Sequence, residues 1–408
     1  MLESREVFMR KRIEDYEPIV GEKIINQIYE ESARLAGKHV LHISSTYVGG
    51  GVAEMQNALV PLMNSVGITT GWRILHGSVD FFTITKKFHN GLQGQKINLS
   101  RMKKKIYADQ NESFSVFTHI DHDAVIVHDP QPLPLISLYG KECPWLWRIH
   151  IDLSQPWKPL WDYLKRYILR YDALIVSQDS YKKDDIDIPQ HIMMPSIDPL
   201  SQKNVNISER VVNRYLSKNG IDRDKPIISQ ISRFDKWKDP NGVLRCFKRV
   251  RKEIDCRLVF VGSFASDDPE GEKVLQSLRN ASEDNDDVTI IVNASDILVN
   301  SVQRASSVIM QKSIREGFAI TVSEALWKGV PVVATNVGGL PLQVIDGVDG
   351  YLVNNGDNKT ISNRLIKLLK DDKLRMEMGK AGRDHVKRNF LVTRHLLDWI
   401  RILKIHHR

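Results

Sequence analysis

The sequence contains few cysteines and no long apolar segment. Its 408 residues include three cysteines, an odd number whose spacing does not match a metal site. Buried thiols in a reducing compartment fit this pattern better than a disulfide framework or a zinc centre. No stretch approaches the roughly 18 uncharged apolar residues of a membrane-spanning helix, and the charged first residues lack the apolar core of a secretory signal. We therefore expect a cytoplasmic protein without a membrane segment.

The chain is basic, with 58 lysines and arginines against 50 aspartates and glutamates and a formal net charge of +8. This charge suits anionic partners such as nucleic acid, acidic lipid or phosphorylated metabolites, and a solvated basic surface accounts for it equally well. The basic residues are spread along the chain, without a zinc-finger, RNA-recognition or helix-turn-helix signature. No strong basic amphipathic helix is visible. We expect neither a nucleic acid nor a membrane as partner.

Short β-rich runs alternate with amphipathic stretches in both halves of the chain. A chain of this length exceeds one ordinary core, which favours two domains. The alternation predicts parallel sheets with helices on both faces. The strands predicted in the first half are residues 39–45, 71–75, 124–128, 146–150 and 173–177. Those predicted in the second half are residues 226–232, 257–262, 288–293, 307–311 and 331–335.

The expected fold class is α/β, with two doubly wound, Rossmann-like domains that face a central cleft. Polar residues 197–224 are interpreted as a linker, so that the first domain spans residues 1–200 and the second spans residues 201–389. A C-terminal helix at about residues 390–408 is expected to pack back on the first domain. Ligands of such sheets bind beyond the carboxyl ends of the strands, so the cleft is the expected site.

A glycine-rich turn follows the first predicted strand and precedes a predicted helix. The backbone N–H groups of Gly50 and Gly51 can approach a phosphate there, and the positive end of the helix dipole favours an anion. The turn is neither a G-x-G-x-x-G fingerprint nor a P-loop with its lysine, and a tight structural turn explains the glycines nearly as well. Glu54 lies in the first helical turn, where it either faces substrate or complements the dipole.

Two cations, Arg233 and Lys238, follow the carboxyl end of the predicted strand at residues 226–232. At this spacing the two side chains can straddle a diphosphate, because arginine binds two oxygens at once and lysine acts as a point charge. A solvated basic loop is the alternative interpretation.

A third motif joins a predicted strand to a predicted helix and contains two glutamates, Glu316 and Glu324. The backbone N–H groups of Phe318, Ala319 and Ile320 would be unsatisfied donors at the helix start, open to an anion. At about 1.5 Å per residue the glutamates would lie about 10–12 Å apart. A glycosidase pair needs about 5–9.5 Å. The spacing therefore disfavours hydrolysis and favours two ends of one nucleotide sugar.

Polar side chains also follow two strands of the first half. Asp129 comes after the strand at residues 124–128, and His150 and Asp152 come at the end of the next strand. Side chains at the carboxyl ends of parallel strands are placed to meet a sugar hydroxyl. A structural role for each residue remains the simpler interpretation.

Together these motifs resemble the retaining glycosyltransferases of family four, the glycosyl transferases group one, which have the two-domain GT-B architecture. Glu316 and Glu324 match the family's E-x7-E pattern, and Arg233 and Lys238 match its Arg-x4-Lys pair. Within the family, the residues of the first half look like those of the trehalose glycosyltransferring synthases. Their segments are residues 44–54, 88–94, 128–132, 145–152 and 195–200.

The resemblance implies transfer of glucose from a nucleoside diphosphate glucose to free glucose with retention, giving α,α-trehalose reversibly. The alternatives are a trehalose phosphorylase, another family-four enzyme with a different acceptor, a lipid-directed glycosyltransferase, and a non-catalytic protein that binds sugar nucleotides. The implied partners are the sugar nucleotide and glucose or trehalose. No cofactor is expected to be tightly bound and no residue is assigned to a metal. Magnesium dependence and a homodimer are left open.

The resemblance also implies roles for the residues. Arg233, Lys238 and the amides of the two helix starts would stabilise the leaving diphosphate. Glu316 and His150 would contact the donor sugar, and Glu324 would hold the ribose. The acceptor glucose would lie near three residues of the first domain: Glu54, Asp129 and Asp152.

Two residues depart from the family pattern. Asp239 replaces the glycine that usually follows the lysine, so its carboxylate either weakens Lys238 or caps the next helix. Ala319 replaces the second glycine of Glu-Gly-Phe-Gly. Its N–H group remains available to a phosphate provided that the backbone there does not take a positive φ.

Overall fold

The computed structural model describes residues 11–47, 50–263 and 271–406. Val48 and Gly49 of the glycine-rich turn lie outside these ranges. No helix within the described ranges is long and apolar enough to cross a membrane.

Two sheets of six strands each organise the chain. The strands of the first sheet are β1 (His39–Ser44), β2 (Thr69–Ile74), β3 (Ala124–His128), β4 (Trp145–Arg148), β5 (Ala173–Val176) and β6 (Gln190–Ile192). The strands of the second sheet are β7 (Ile227–Ile231), β8 (Arg257–Gly262), β9 (Val288–Val292), β10 (Val308–Gln311), β11 (Val332–Thr335) and β12 (Gly350–Val353).

Helices connect the strands. In the chain up to the end of the first sheet they are α1 (Glu17–Val20), α2 (Glu22–Ser32), α3 (Gly51–Ser65), α4 (Val79–Leu92), α5 (Arg101–Val116) and α6 (Lys158–Ile168). The later helices are α7 (Glu209–Lys218), α8 (Pro240–Val250), α9 (Gly271–Ser282), α10 (Asp296–Ala305), α11 (Ile320–Trp327), α12 (Leu340–Gln343), α13 (Asn358–Lys370), α14 (Asp372–Asn389) and α15 (Val392–His406).

All strand pairs in both sheets are parallel. The first sheet has the order β2-β1-β3-β4-β5-β6 and the second has the order β12-β11-β10-β7-β8-β9. The direction of winding therefore reverses between β1 and β3 in one sheet and between β7 and β10 in the other. A crevice opens at such a reversal because the flanking loops leave in opposite directions. The loops after these four strands carry most of the predicted motifs.

Both faces of the first sheet are covered by apolar side chains. Every residue of β3 is buried. Val125 and Val127 pack on one face with Trp147, while Ala124 and Ile126 pack in the cluster on the other face. Side chains alternate between faces, so a strand buried on both sides is a continuous apolar run. That property makes the strands recognisable in the sequence.

The last helix, α15, returns to the first sheet and packs against α2 and α3. Trp399 is fully buried there. Arg394 donates to the carbonyl oxygens of Met194 and Pro195 at 2.8 Å each. These contacts tie the end of the chain to the segment that leaves the first sheet.

The doubly wound fold predicted from the sequence is confirmed, and each predicted strand is present within two residues of its predicted bounds. The prediction missed β6, which has three residues, and β12, which begins with a glycine. The interpretation of residues 197–224 as linker throughout is wrong, because α7 lies inside that segment. Ser208 caps α7 by accepting from the N–H of Val211, and Val212 and Leu216 bury one face of the helix.

Trp399→Ala should lower the free energy of unfolding by about 4 kcal/mol, because it removes apolar burial and leaves a cavity between α15 and the first sheet. The matched variant Ile405→Ala changes a side chain of the same helix that is 65% exposed, and its effect should stay within about 0.5 kcal/mol. Denaturant unfolding measures both variants. Equal small effects would show that α15 does not stabilise the fold.

Candidate active site

A cavity of about 620 Å³ lies between the carboxyl ends of the two sheets. It is lined from the first sheet by the loops after β1, β3 and β4, and from the second sheet by the loops after β7, β9 and β10. The predicted residues in its lining are Gly50, Gly51, Glu54, Asp129, His150, Arg233, Lys238, Glu316, Phe318, Ala319 and Ile320. The fold therefore brings together motifs that are far apart in the chain.

The glycine-rich turn meets the third motif directly. Gly50 has φ +95° and Gly51 begins α3. A Cβ atom at Gly51 would lie 3.4 Å from the side chain of Ile320, the first residue of α11. The starts of α3 and α11 thus face each other across the cavity. Their unsatisfied N–H groups and positive dipole ends favour an anion between them.

Lys238 and Glu316 form an ion pair inside the cavity. The Oε2 atom of Glu316 also accepts from the hydroxyl of Ser313 at 2.9 Å and from the amide of Gln311 at 3.2 Å. Glu316 is 6% exposed, so water screens this pair weakly. These three donors hold the carboxylate in one orientation.

Asp239 caps the helix that follows the cation loop. Its Oδ1 atom accepts from the N–H of Gly242 at 2.9 Å, and its carboxylate pairs with Lys312 and, at 3.6 Å, with Arg245. The carboxylate that pairs with Lys238 is that of Glu316. Of the two roles predicted for Asp239, the structure therefore shows the cap.

We expected the N–H group of Ala319 to be available to a phosphate provided that the backbone there does not take a positive φ. Ala319 has φ +68°, so this condition is not met. The N-cap residue of α11 takes the left-handed conformation that glycine adopts without strain and that costs other residues about 1–2 kcal/mol. Ala319 nevertheless takes it and lines the cavity with Phe318 and Ile320. The backbone of the third motif therefore reaches the cavity in a strained conformation.

Gly317 explains why the two sheets can approach so closely. A Cβ atom there would lie 2.2 Å from the backbone oxygen of His150. The hydroxyl of Tyr181 donates to the backbone oxygen of Glu316 at 2.8 Å. The loop that carries Glu316 therefore packs against the backbone at the end of β4 and against Tyr181, and any side chain larger than hydrogen at Gly317 would separate them.

Three imidazoles stack from the cavity wall into the first sheet, with His150 and His128 in the lining and His42 behind them. His150 Nε2 lies 2.9 Å from His128 Nδ1, and His128 Nε2 lies 2.9 Å from His42 Nδ1. Burial lowers the pKa of all three, that of His42 to about 3. The ring of His150 is therefore neutral at physiological pH. It meets a ligand as a hydrogen-bonding group without charge.

Asp129 has a structural role beside its place in the cavity. Its Oδ1 atom accepts from the N–H of His150 at 2.8 Å, and its backbone oxygen accepts from the indole of Trp147 at 2.9 Å. Its φ of +62° turns the chain at the end of β3. Asp129 thus orients the residue predicted to contact the donor sugar.

Asp152, predicted beside the acceptor, is not among the described residues that line the cavity. It is 2% exposed. Its Oδ1 atom accepts from the N–H of Ser154 at 2.8 Å, and its Oδ2 atom lies 3.5 Å from Arg315. Arg315 itself lines the cavity, so the carboxylate contacts a residue of the cavity wall and joins the two sheets there. The place of Asp152 beside the acceptor stays a prediction.

Glu54 pairs with Lys203, which the sequence analysis did not single out. Burial and the nearby Glu324 together raise the pKa of Glu54 to about 7 against the attraction of Lys203. Lys203 also lies 3.9 Å from Asp296 of α10. Glu54 is thus directed to the Glu324 end of the site, whereas the prediction placed it beside the acceptor.

Glu324 lies outside the lining of the main cavity, in a smaller cavity that adjoins it. It is 1% exposed, accepts from the amide of Gln303 at 3.4 Å, and lines an adjoining cavity of about 160 Å³ with Glu54 and Lys203. Burial lowers the pKa of Lys328 to about 7 despite the attraction of Glu324. The two predicted glutamates therefore belong to two adjoining spaces.

The sequence analysis missed several residues of the lining. His89 and Gln93 reach it from α4 and its C-cap, Gln131 from the loop after β3, and Trp237 from the cation loop. His89 is held neutral because burial and the charges of nearby cations lower its pKa. The sequence pattern around these residues indicates a helix and loops. Nothing in that pattern distinguishes them as site residues.

No group of three or more histidine, cysteine, aspartate or glutamate side chains within the described ranges could hold a metal ion. Positive charge faces the cavity from side chains such as Arg233 and Lys238 and from the two helix starts.

Comparisons with known families match both halves of the chain. Residues 42–183 match the family described as trehalose synthase, N-terminal domain. Residues 212–385 match the glycosyl transferases group 1.

The chain is 41% identical over 402 residues to the trehalose synthase of Pyrococcus horikoshii, covering 97% of this chain and 96% of the relative. It is 39% identical over 403 residues to the trehalose synthase of Rubrobacter xylanophilus, covering 96% of each. Among solved structures, the UDP-forming α,α-trehalose-phosphate synthase of Burkholderia xenovorans superposes with a TM-score of 0.73 at 12% identity. The match covers 90% of this chain and 100% of that one, a likeness of fold alone.

Ala319→Gly should raise the free energy of unfolding by about 1 kcal/mol, because glycine adopts the observed φ without strain. The control Ala325→Gly, inside the same helix, should lower it by about 1 kcal/mol. Thermal or denaturant unfolding distinguishes the two signs. Destabilisation by both variants would contradict a strained left-handed Ala319.

Proposed function

Because the chain belongs to the retaining GT-B glycosyltransferases of family four and to their trehalose synthase branch, we propose that it moves glucose from a nucleoside diphosphate glucose to free glucose. The product is α,α-trehalose, and the reaction is reversible. The chain is a glycosyltransferase of trehalose metabolism. The observation that carries the finer proposal is the cavity itself, in which the Lys238–Glu316 pair faces the two helix starts.

Arg233 and Lys238 stabilise the diphosphate as it leaves. Negative charge grows on the leaving oxygen while the glycosidic bond breaks, and preorganised cations and N–H groups lower the energy of that state. The helix starts at Gly51 and Ile320 face each other at this point. Lys238 is already held by Glu316, so little reorganisation is needed when the diphosphate arrives.

Glu316 and His150 hold the donor glucose. Glu316 is oriented by Lys238, Ser313 and Gln311, and an oxygen that accepts from three donors is a poor nucleophile. The neutral ring of His150 contributes a hydrogen bond without competing for the phosphate. The two side chains approach the sugar from opposite sheets.

Glu324 holds the ribose from the adjoining cavity. Glu54 and Lys203 lie beside it, so we reassign Glu54 from the acceptor to this end of the donor.

The acceptor glucose lies against the first sheet. Among the polar side chains that line the cavity on this side are those of Asp129, Gln131, His89 and Gln93. These groups offer hydrogen bonds to the hydroxyls of a second sugar.

Transfer occurs on one face of the sugar. The bond between C1 of glucose and the diphosphate oxygen breaks, the acceptor hydroxyl oxygen bonds to C1 from the same side, and its proton passes to an oxygen of the leaving diphosphate. The contacts of Gly317 and Tyr181 hold the two sheets together beside the cavity. A cleft that closes on the donor would exclude water that would otherwise hydrolyse it.

A product assay tests the proposal. Purified protein is given UDP-, ADP- or GDP-glucose with free glucose, and the disaccharide is identified by its anomeric NMR couplings. We expect α,α-trehalose with at least one donor. A different disaccharide would reject the acceptor assignment. Release of glucose from trehalose by inorganic phosphate without nucleotide would favour a phosphorylase.

Lys238→Ala should lower kcat by about 100- to 1,000-fold, because it removes one charge that stabilises the leaving group. Lys105→Ala is the matched control, since its side chain is 69% exposed on α5, and it should leave kcat unchanged. Steady-state kinetics at saturating donor measures both variants. Wild-type turnover by Lys238→Ala would refute the leaving-group role.

A further inference from the structure

Helix α4 reaches from the first sheet to the cation loop of the second. Its apolar face packs in the first core through Phe81, Phe88 and Leu92. Its other face meets residues 232–239, the loop that carries both cations of the Arg-x4-Lys pair. A helix of one sheet thus contacts the loop that the proposed function assigns to the diphosphate.

Three hydrogen bonds join α4 and the segment after it to this loop. Lys86 Nζ lies 2.9 Å from Asp235 Oδ2, and the indole of Trp237 donates to Asn90 Oδ1 at 3.0 Å. The third donor is Lys236, whose Nζ lies 3.0 Å from Oε1 of Gln95. The first two contacts come from within the helix, so its position determines where the loop can lie.

The ion pair is buried on both sides. The side chain of Lys86 is 5% exposed and that of Asp235 is 4% exposed. Burial opposes the charge on Asp235, but the attraction of Lys86 and Arg233 keeps the pKa of its carboxyl below the usual value. The Oδ1 atom of Asp235 accepts from the N–H of Trp237 at 2.9 Å. One carboxylate therefore shapes the loop and ties it to α4.

The second sheet holds the same loop from the opposite side. Gln230 donates to the backbone oxygen of Lys238 at 2.9 Å, and the N–H of Ile314 donates to the backbone oxygen of Trp237 at 2.7 Å. The loop is thus fixed between its own sheet and α4.

We propose that Lys86 and Asn90 are positioning residues for the diphosphate loop, so that α4 sets the placement of Arg233 and Lys238. The two positioning residues are one helical turn apart, so they lie on one face of α4. Their role rests on the proposed function, which assigns the loop to the diphosphate.

The buried pair contributes orientation more than stability. A buried ion pair adds little net stability compared with apolar residues of the same size. Here it orients a loop in which Asp235 stands between the two cations in the sequence.

Lys86→Met tests the proposal in the full-length protein. The probes are UDP with uridine and ADP with adenosine, titrated by calorimetry for the nucleotides and by ligand-observed NMR for the weaker nucleosides. We expect affinity for the diphosphate to fall at least tenfold and affinity for the nucleoside to stay within twofold. General damage to the fold would weaken both ligands alike.

Three further variants sharpen the test. Lys86→Arg should keep most of the diphosphate affinity. Lys86→Met combined with Asp235→Asn should bind no worse than Lys86→Met alone, because the contact between the two side chains is already lost and asparagine keeps an oxygen that can accept from the N–H of Trp237. Lys105→Met, which breaks an exposed pair with Asp109 on α5, should bind as the wild type does.

If Lys86→Met does not fold, Asn90→Ala replaces it, with the same expected loss.

Two outcomes are decisive. A folded Lys86→Met protein that binds the diphosphate within twofold of wild type would overturn the positioning role and leave the proposed function standing. A wild-type protein that binds no nucleoside diphosphate would overturn the proposed function, and the positioning role with it.

Discussion

The ion pair between Lys238 and Glu316 joins the two loops at the point where the second sheet reverses its winding. Each loop leaves the carboxyl end of a central strand, so both charges point into the same crevice. The end of β4 then approaches this pair closely enough that Gly317 has no room for a side chain. The cleft is arranged around one pair of charges that water screens weakly.

Around the cleft, two carboxylates are paired with lysines and the stacked histidine rings are neutral. Asp235 forms an ion pair with Lys86, and Glu54 forms one with Lys203. An unpaired buried charge would cost several kcal/mol, so such pairs are the form in which charges persist in an interior. Burial keeps the stacked histidines uncharged. The cavity thus presents fixed cations to a bound anion. The stacked histidine rings do not compete with them as imidazolium ions.

Backbone strain occurs where the loops meet the cleft. Asp129, Asp239 and Ala319 all have positive φ, and each follows the end of a strand or adjoins a predicted site residue. Hydrogen bonds of the side chain offset the strain at Asp129 and Asp239. Ala319 has no side-chain donor or acceptor to do so, and the surrounding packing of α11 must hold it. Strain of this kind persists where structure on both sides determines the conformation.

The strands could be predicted from the sequence, because buried parallel strands are continuous apolar runs. The places of Arg233, Lys238 and Glu316 could be predicted as well, because strand ends set where their loops emerge, whereas the E-x7-E and Arg-x4-Lys patterns came from the family resemblance. The short strand β6 and the helix α7 could not be predicted, since a three-residue strand has no period and a polar surface hides the buried Val212 and Leu216.

Within the site, the sequence by itself determined which residue types follow each strand. Only the tertiary structure decided where their side chains point. It turned Asp152 toward Arg315, directed Glu54 to Lys203 and brought a lysine of α4 to the cation loop. The physical reason is that these contacts join segments up to 163 residues apart, whose meeting depends on how two separate cores pack against each other and not on any local pattern.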